Sequence, residues 1–203
     1  MALDTYANLK TAIATLLNRD DMASAIGDFI TMAEADMARK VRHWRMETNN
    51  QAFTIDGRFE DVPTDWLETV RLSLSTDPEQ RLELVAIPVM QRYRRASALG
   101  KPRFYAHVGG QFEFYPVPDD AYTAELVYMA KAPALSDSTT SNWILDAYPD
   151  AYLYGAALHS APYLRDDERI VIWAEFYRNA IDRMNESSDR AKWSGTGLRI
   201  RVR

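Results

Sequence analysis

Histidine is the side chain most often used for proton transfer and metal binding near neutral pH, and this sequence has three, at His43, His107 and His159. They lie far apart in the chain and on different predicted elements, so no paired-histidine metal spacing occurs. His159 stands among alanines, where a hydrogen-bonded core residue explains it better than a ligand. HExxH, P-loop, GxGxxG and GxSxG motifs are also missing from the sequence. We therefore predict no catalytic residue, no metal site, no cofactor and no enzymatic activity.

Three further runs have both a functional and a structural interpretation. The acidic run 166–168 has carboxylates for a cation, but the capping of a helix accounts for it better. Gly109-Gly110 has the pattern of a hairpin turn and not of a phosphate-binding loop. The run 92–95 mixes arginine with tyrosine, as a nucleic-acid surface does. On a helix these neighbours point in different directions, which favours a solvated face or a subunit contact.

The C-terminal stretch 187–203 has the clearest binding pattern in the chain. From residue 198 onward, three apolar residues alternate with three arginines, as in a short strand with one apolar and one cationic face. A frayed terminus also explains this stretch. The functional interpretation is an arm that adds a strand to an exposed sheet edge of a neighbouring subunit or partner, with Trp193 as its anchor. Arginine contacts to nucleic-acid phosphates are a third interpretation, although the alternation explains the spacing without them. The candidate interface residues are Trp193, Leu198, Arg199, Ile200, Arg201, Val202 and Arg203.

Helical periodicity marks both ends of the chain. At the N-terminus it predicts a short helix over residues 6–17, capped by Asp4, and a second helix from Met22 to about Trp44, capped by Asp20 or Asp21.

The stretch 142–186 predicts two more helices, joined by a tight acidic turn. Residues 151–164 carry no acidic or basic side chain, which indicates a helix buried on most sides, and Pro162 should distort its last turn. Asp166 is the expected N-cap of the second helix. The apolar stripe of that helix consists of Ile170, Trp173, Ala174, Tyr177, Ile181 and Met184.

Between the helical ends, from residue 46 to residue 133, the apolar period is mostly two, which is typical of strands. Asp56-Gly57 signals a turn between residues 52–55 and a return strand at 59–62. The other expected elements are strands at 66–74, 81–85 and 122–130, a helix at 88–99, and a hairpin of residues 103–108 and 111–115.

This order of elements predicts an α+β fold. Residues 1–45 and 142–186 contribute the N- and C-terminal helix pairs of one helical bundle. Residues 46–141 form an inserted β-rich lobe, and residues 187–203 form an extended C-terminal arm.

The composition is that of an ordinary soluble globular protein, with 47% hydrophobic and 26% charged residues in a chain of 203. A net charge of −5 argues against a general nucleic-acid binder and would let DNA pass nearby without holding it. The chain has no cysteine, which excludes disulfides and thiolate metal sites and fits a reducing compartment. No signal peptide, membrane-spanning stretch or lipidation motif occurs.

A series of short motifs runs along nearly the whole chain to about residue 186. In order, they are YANL (6–9), AEAD (33–36), VPTDW (62–66), GKPRFY (100–105), FYPVP (114–118), LVY (126–128), YPDAYLYGA (148–156), APYL (161–164) and DDE (166–168). With this ordered set the chain resembles the head-to-tail adaptor, or connector, proteins of tailed bacteriophages. It is similar to the group that includes the tubular tail protein A of short-tailed phages.

The resemblance implies a structural virion protein that assembles as a ring of about twelve copies under the portal. Such a ring extends the DNA channel and is the platform for the nozzle or tail. The implied partners are the portal protein, the tail nozzle or tail tube protein and further copies of this chain. DNA passes through without sequence-specific binding, and no membrane is involved. The implied location is the virion neck, after assembly in the host cytoplasm, and we expect Asp and Glu of the helical region to face the channel.

Three other functions stay open at this point. Another neck or tail-completion protein, such as a terminator, would bind the tail tube and not the portal. A small enzyme would have a deep pocket with convergent polar groups and perturbed pKa values. A host binding module would stay a compact monomer or dimer beside portal complexes.

Overall fold

The structure, a computed structural model, describes residues 3–19, 21–22, 24–94, 98–164 and 168–194. Within these ranges it contains six α-helices and two four-stranded sheets, so the predicted α+β class is confirmed. The chain divides into two units. A helical unit consists of Met1–Arg45 with Ala132–Arg203, and a β-rich unit consists of Met46–Lys131.

The helical unit is organised around one helix that contacts most of the others. In chain order the helices are α1 (Tyr6–Leu17), α2 (Ile26–Lys40), α3 (Ile87–Tyr93), α4 (Trp143–Ala147), α5 (Pro149–His159) and α6 (Arg169–Trp193). All except α3 belong to the helical unit. Helix α5 contacts α1, α2, α4 and α6, and its Ala151, Tyr152, Ala156 and Ala157 are buried, as its lack of charge predicted.

A glycine allows α5 to approach two neighbouring helices closely. A Cβ atom built on Gly155 would lie 2.9 Å from Cε2 of Tyr177 and 3.2 Å from Cβ of Ala33. Real Cβ atoms essentially never make a contact below 3.0 Å, and a contact of 3.2 Å is tighter than most, so glycine is the residue that fits here without a shift of the Tyr177 ring.

The starts of the first two helices differ from the prediction. Thr5, and not Asp4, caps α1, because its hydroxyl accepts the N–H of Asn8 at 3.3 Å. Helix α2 begins at Ile26 and ends at Lys40, so it is shorter than predicted at both ends. Its N-cap is Ala25, which has no capping side chain, and Asp21 is instead paired with Arg19 at 2.7 Å. Asp20 lies outside the described residues.

The C-terminal helices also differ from the predicted pair. The first is split into α4 and α5, because Pro149 begins a new helix after Tyr148. Helix α5 ends at His159 and is followed by a 3-10 turn at Ala161–Tyr163, which contains the helix-distorting Pro162. Asp166 and the acidic residue after it lie outside the described residues.

Helix α6 corrects the predicted bounds of the C-terminal arm. It runs without interruption from Arg169 to Trp193, so residues 187–193 are helical and not extended. Its buried residues include Trp173, Tyr177, Ile181 and Met184, which belong to the predicted stripe.

The β-rich unit has eight strands in two sheets. The strands are β1 (Glu47–Ile55), β2 (Phe59–Asp61), β3 (Trp66–Leu74), β4 (Gln80–Arg81), β5 (Glu83–Leu84), β6 (Phe104–Val108), β7 (Gln111–Tyr115) and β8 (Tyr122–Ala130). One sheet has the order β1-β8-β3-β4 and the other the order β2-β7-β6-β5. Strands β3, β6, β7 and β8 lie where the sequence predicted them.

The hairpin expected around Asp56-Gly57 is wrong. Strand β1 pairs with β8 and β2 pairs with β7, so the two strands beside this turn belong to different sheets. The turn itself is real, because the Glu60 carboxylate accepts the N–H groups of Asp56 at 3.1 Å and Gly57 at 2.7 Å. The turn therefore redirects the chain from one sheet to the other.

Two other predictions in this unit need correction. The predicted strand 81–85 is divided into β4 and β5, and the chain changes sheets at Leu82 between them. The predicted helix 88–99 is the shorter α3, which ends at Tyr93.

Side chains from both sheets meet in one core. Its members are Phe53, Ile55, Leu72, Leu74, Leu82, Tyr105, Phe112, Phe114, Ala124, Leu126, Tyr128 and Ala130. Phe112 is fully buried, and its ring lies between 5.1 and 6.3 Å from those of Phe53, Trp66, Tyr105, His107 and Phe114. The two sheets thus share one apolar interior within this unit.

Candidate functional site

The N-terminal half of α6 has an exposed apolar face. Val171, Ile172 and Phe176 are 74%, 51% and 45% exposed, whereas Trp173 and Tyr177 next to them are buried. The period of 3.6 residues places Ile172 and Phe176 one turn apart on the same side of the helix. We call Val171, Ile172 and Phe176 the α6 outer face. Large apolar side chains exposed together in this way mark interaction surfaces.

Contacts on the inner side hold α6 against its neighbours. The Tyr177 hydroxyl donates to Oδ2 of Asp36 at 2.9 Å, and Lys40 Nζ lies 2.6 Å from the same oxygen. Burial raises the pKa of Asp36, but the hydrogen bonds from Lys40 and Tyr177 outweigh it and lower that pKa overall. The ring of Tyr154 on α5 contacts Phe176, with ring centroids 4.9 Å apart. The outer face is therefore carried by a well-fixed helix.

A shallow groove of about 460 Å³ lies in the β-rich unit beside the edges of β3 and β5. Residues 69–72, residues 81–84 and Tyr105 line it. Val70 and Leu84 are 47% and 53% exposed, so the groove contains apolar surface that is open to solvent. Leu84 also lines a neighbouring groove of about 420 Å³ together with Ile87 and His107.

The three histidines lie in separate environments and form no common site. His43 is buried and stacks on Trp143 with ring centroids 4.9 Å apart. His107 contacts the ring of Trp66 at 4.9 Å, and Nε2 of His159 is buried without a hydrogen-bond partner. Burial lowers the pKa of all three, which keeps the rings neutral near pH 7. No group of three potential metal-ligating side chains comes together in the described part of the chain.

The two apolar surfaces, one on each unit, are thus the features best suited to binding, and the partners that they suit are proteins.

Comparison with protein families supports the same conclusion. A family model described as SU10 adaptor protein matches residues 4–201, which is nearly the whole chain. The chain belongs to the SU10 adaptor protein family, a family of phage head-to-tail adaptors. A search of curated proteins found no match.

In this adaptor chain, the predicted interface residues have different outcomes. Trp193 is the last residue of α6 and is 59% exposed. The other six, Leu198, Arg199, Ile200, Arg201, Val202 and Arg203, lie outside the described residues. Sequence reasoning missed the α6 outer face because it assigned one apolar stripe to the helix. The missed signal was a second apolar arc at positions 171, 172 and 176 of the same helix.

The adaptor's run at residues 92–95 has a structural explanation for two of its members. Tyr93 stacks on Phe104 with ring centroids 4.7 Å apart, which fixes α3 against β6. Arg94 lies 3.1 Å from the Glu113 carboxylate, which also receives Arg58 at 2.6 Å. Glu113 is buried, so both arginines compensate its charge.

A further adaptor feature concerns membranes. Among the described residues, no helix combines the length and the apolar character that crossing a bilayer requires.

Proposed function

We propose that this chain is the subunit of a head-to-tail adaptor ring that docks under the portal in the neck of a phage virion. The family match over residues 4–201 carries the proposal. The ring extends the DNA channel and is the platform to which the nozzle or tail tube attaches. It contains about twelve copies, which assemble in the host cytoplasm. Such a ring closes when identical subunits repeat one heterologous contact.

The α6 outer face is the proposed subunit contact of this ring. A heterologous interface joins two different surfaces of the same chain, and aromatic and aliphatic anchors at its centre supply most of its stability. Val171, Ile172 and Phe176 have this character and are presented by a helix packed on α5. In this proposal the helical units of neighbouring subunits stand side by side in the ring. Each helical unit is a bundle of the N- and C-terminal helices of its own chain.

The C-terminal arm is the proposed second contact, toward the portal or a neighbouring copy. Its residues are Trp193, Leu198, Arg199, Ile200, Arg201, Val202 and Arg203. Trp193 is the last residue of α6 and is 59% exposed, which suits an anchor at the base of the arm.

The charge of the chain suits a wall past which DNA slides. Residues 1–45 and 132–193, up to the end of α6, together hold sixteen acidic and twelve basic residues. Fixed cationic contacts would retain a duplex through its phosphates, and an acidic wall avoids them. We propose that Asp and Glu of the helical unit face the lumen. A strongly positive lumen in a potential map of the assembled ring would contradict this part.

The test is to mix the purified chain with the portal ring of the same phage and to image the product by cryo-electron microscopy. We expect a second ring stacked under the portal. The Ile172→Asp chain should fold normally but fail to form this ring, because a charge would replace a 51% exposed apolar anchor of the α6 outer face. Truncating a central anchor typically costs about 2 kcal/mol or more.

The matched control is Leu99→Asp, which places the same charge on a 75% exposed leucine of the β-rich unit and should assemble normally. If the folded protein does not bind portal rings but binds the ends of tail tubes, the adaptor function is wrong and the protein is a terminator.

A further inference from the structure

The edge of β3 is only partly paired. Strand β4 pairs with it at Ser73 and Leu74, and the N–H of Leu82 bonds the Leu72 carbonyl at 2.8 Å. Within the described residues, no strand pairs with residues 69–71, which line the groove, on the side away from β8. This part of β3 therefore presents backbone hydrogen-bonding groups that another strand can satisfy.

The edge of β5 faces the same groove. Strand β5 pairs in parallel with β6 on one side, through Glu83 and Leu84. Both residues of β5 also line the groove, together with residues 69–72. The groove thus lies beside two sheet edges, and both carry exposed apolar side chains, Val70 on β3 and Leu84 on β5. An extended peptide suits this geometry, because it pairs with an edge and places alternate side chains on the apolar surface.

We propose that this groove accepts residues 198–203 of a second copy of the chain as an added β-strand. The segment has the required period of two, with Leu198, Ile200 and Val202 on one face. Its apolar face lies against the surface of Val70 and Leu84, and its arginines face solvent. The proposal rests on the adaptor ring proposed above and identifies what one subunit donates to the next and where the neighbour receives it.

Charge favours this pairing of arm and lobe. The β-rich unit, residues 46–131, contains thirteen acidic and nine basic residues, whereas residues 198–203 contain three arginines and no acid. Opposite net charges of this kind mainly speed the encounter. Within the groove, Arg71 and Arg81 outnumber Glu83, and the pairing of Arg71 with Glu125 at 2.8 Å compensates only part of this local positive charge. The apolar face of the arm, and not its arginines, supplies the stability of the contact.

A donated strand also suits a closed ring. One chain supplies the strand and a different surface of the next chain receives it, which is the heterologous arrangement that ring closure requires. Each subunit then donates its arm to one neighbour and receives the arm of the other neighbour in its groove. The edge of β3 is left open only in unassembled copies.

The lack of cysteine makes a direct test possible. One full-length chain carries Leu84→Cys, and a second, with a tag that changes its size, carries Ile200→Cys. The two are mixed under mild oxidation with and without the portal ring. We expect a disulfide-linked heterodimer on a non-reducing gel. The control replaces Leu84→Cys with Leu99→Cys, an exposed site outside the groove, and should cross-link more slowly by about tenfold or more, because docking raises the local concentration.

A cross-link no faster than that of the Leu99→Cys control, with and without portal, would overturn the proposal. A chain that carries both Leu84→Cys and Ile200→Cys distinguishes the source of the arm. If it closes only within one molecule at every concentration, the arm is not donated and the proposal also fails.

A Val70→Asp change, added to the Leu84→Cys chain, separates this proposal from the adaptor function itself. We expect this chain to bind the portal but to cross-link to the Ile200→Cys chain more slowly than the Leu84→Cys chain alone. If the wild-type ring under the portal has residues 198–203 away from the groove, the strand donation is wrong and the adaptor function stands. If the wild-type chain makes no ring at all, the adaptor function fails.

Discussion

Glu34 is the centre of a half-buried polar network that fixes the chain where it returns from the β-rich unit to the helices. Its Oε1 accepts the N–H of Leu135 at 2.7 Å and the hydroxyl of Tyr152 at 3.0 Å. Asn142 donates to the same hydroxyl and to the Pro133 carbonyl, both at 2.7 Å. Burial raises the pKa of Glu34 and outweighs the two hydrogen bonds that lower it.

This raised pKa predicts a pH dependence of stability. A carboxyl group with a higher pKa in the folded state stabilises the protein most below its unfolded pKa of 4.5, and this contribution is lost as the pH rises through the folded value. The free energy of unfolding of the wild type should therefore rise relative to that of Glu34→Gln as the pH is lowered from 8 to 5. Gln keeps an oxygen that accepts both hydrogen bonds but does not titrate. Urea unfolding of both chains across this range measures the difference.

Glu34→Ala is the companion variant. It leaves the Leu135 N–H and the Tyr152 hydroxyl without their acceptor, and we expect it to lose about 1–3 kcal/mol at every pH in this range. A constant difference between wild type and Glu34→Gln from pH 8 to pH 5 would show that Glu34 titrates in the folded protein as it does in the unfolded chain.

At the scale of elements, local signals predicted the structure well and long-range pairing could not be predicted. Strands β3 and β8 and the hairpin of β6 and β7 were located correctly, because a period of two and a Gly-Gly turn are written in adjacent residues. The partner of β1 is β8, far along the chain, and the Asp56-Gly57 turn contains no information about it. The same limit explains the division of residues 80–84 between two sheets.

The end of α6 shows a second limit. Residues 187–193 lack the apolar stripe that indicates a packed helix, so they were predicted to be extended. Polar anchors hold this end instead. Ser188 Oγ accepts the N–H of Trp44 and Asn185 Oδ1 accepts the N–H of Arg42, both at 2.9 Å. Ser187 Oγ lies 2.6 Å from the Tyr148 hydroxyl. Periodicity of hydrophobic residues does not report such contacts.

The packing of α5 on α6 leads to a prediction for Gly155. Alanine raises helix stability by about 1 kcal/mol relative to glycine in a helix interior. At this position, however, the new methyl group would meet Cε2 of Tyr177 at 2.9 Å. Tyr177 cannot move aside easily, because it is buried and its hydroxyl is bonded to Asp36. We expect Gly155→Ala to lower the free energy of unfolding, since overpacking costs about 1–3 kcal/mol.

Gly27 of α2 is the matched control for this change. A Cβ atom there would meet only the Tyr6 hydroxyl oxygen, at 3.2 Å. Gly27→Ala should therefore be neutral or stabilising by up to about 1 kcal/mol. Chemical denaturation of both variants measures the contrast. If Gly155→Ala is as stable as Gly27→Ala, the close approach of α5 and α6 does not limit the helical unit.

At the scale of the whole molecule, the two units differ in how many pieces of the chain they are built from. The β-rich unit is one continuous piece of chain, whereas the helical unit needs two separated pieces. Residues 132–141 were predicted to belong to the β-rich lobe. They lie with the helical unit, because Glu34 and Asn142 bind Leu135 and Pro133. The contact between Glu34 and Leu135 joins residues remote in sequence, which periodicity along the chain does not predict.

This difference predicts that residues 46–131 fold without the rest of the chain. Among the described residues, the strand pairings of both sheets fall within this range, and the members of the shared core belong to it. The isolated fragment should have a β-type circular dichroism spectrum, dispersed amide resonances and a single cooperative unfolding transition.

The shared core predicts how the stability of this fragment responds to mutation. Phe112→Ala should lose about 3–5 kcal/mol, because it removes a fully buried ring from both sheets' common interior. Leu99→Ala, at an exposed position, should lose less than about 0.5 kcal/mol. A fragment that remains unfolded, or one that responds equally to both changes, would mean that the helical unit is needed to stabilise the lobe.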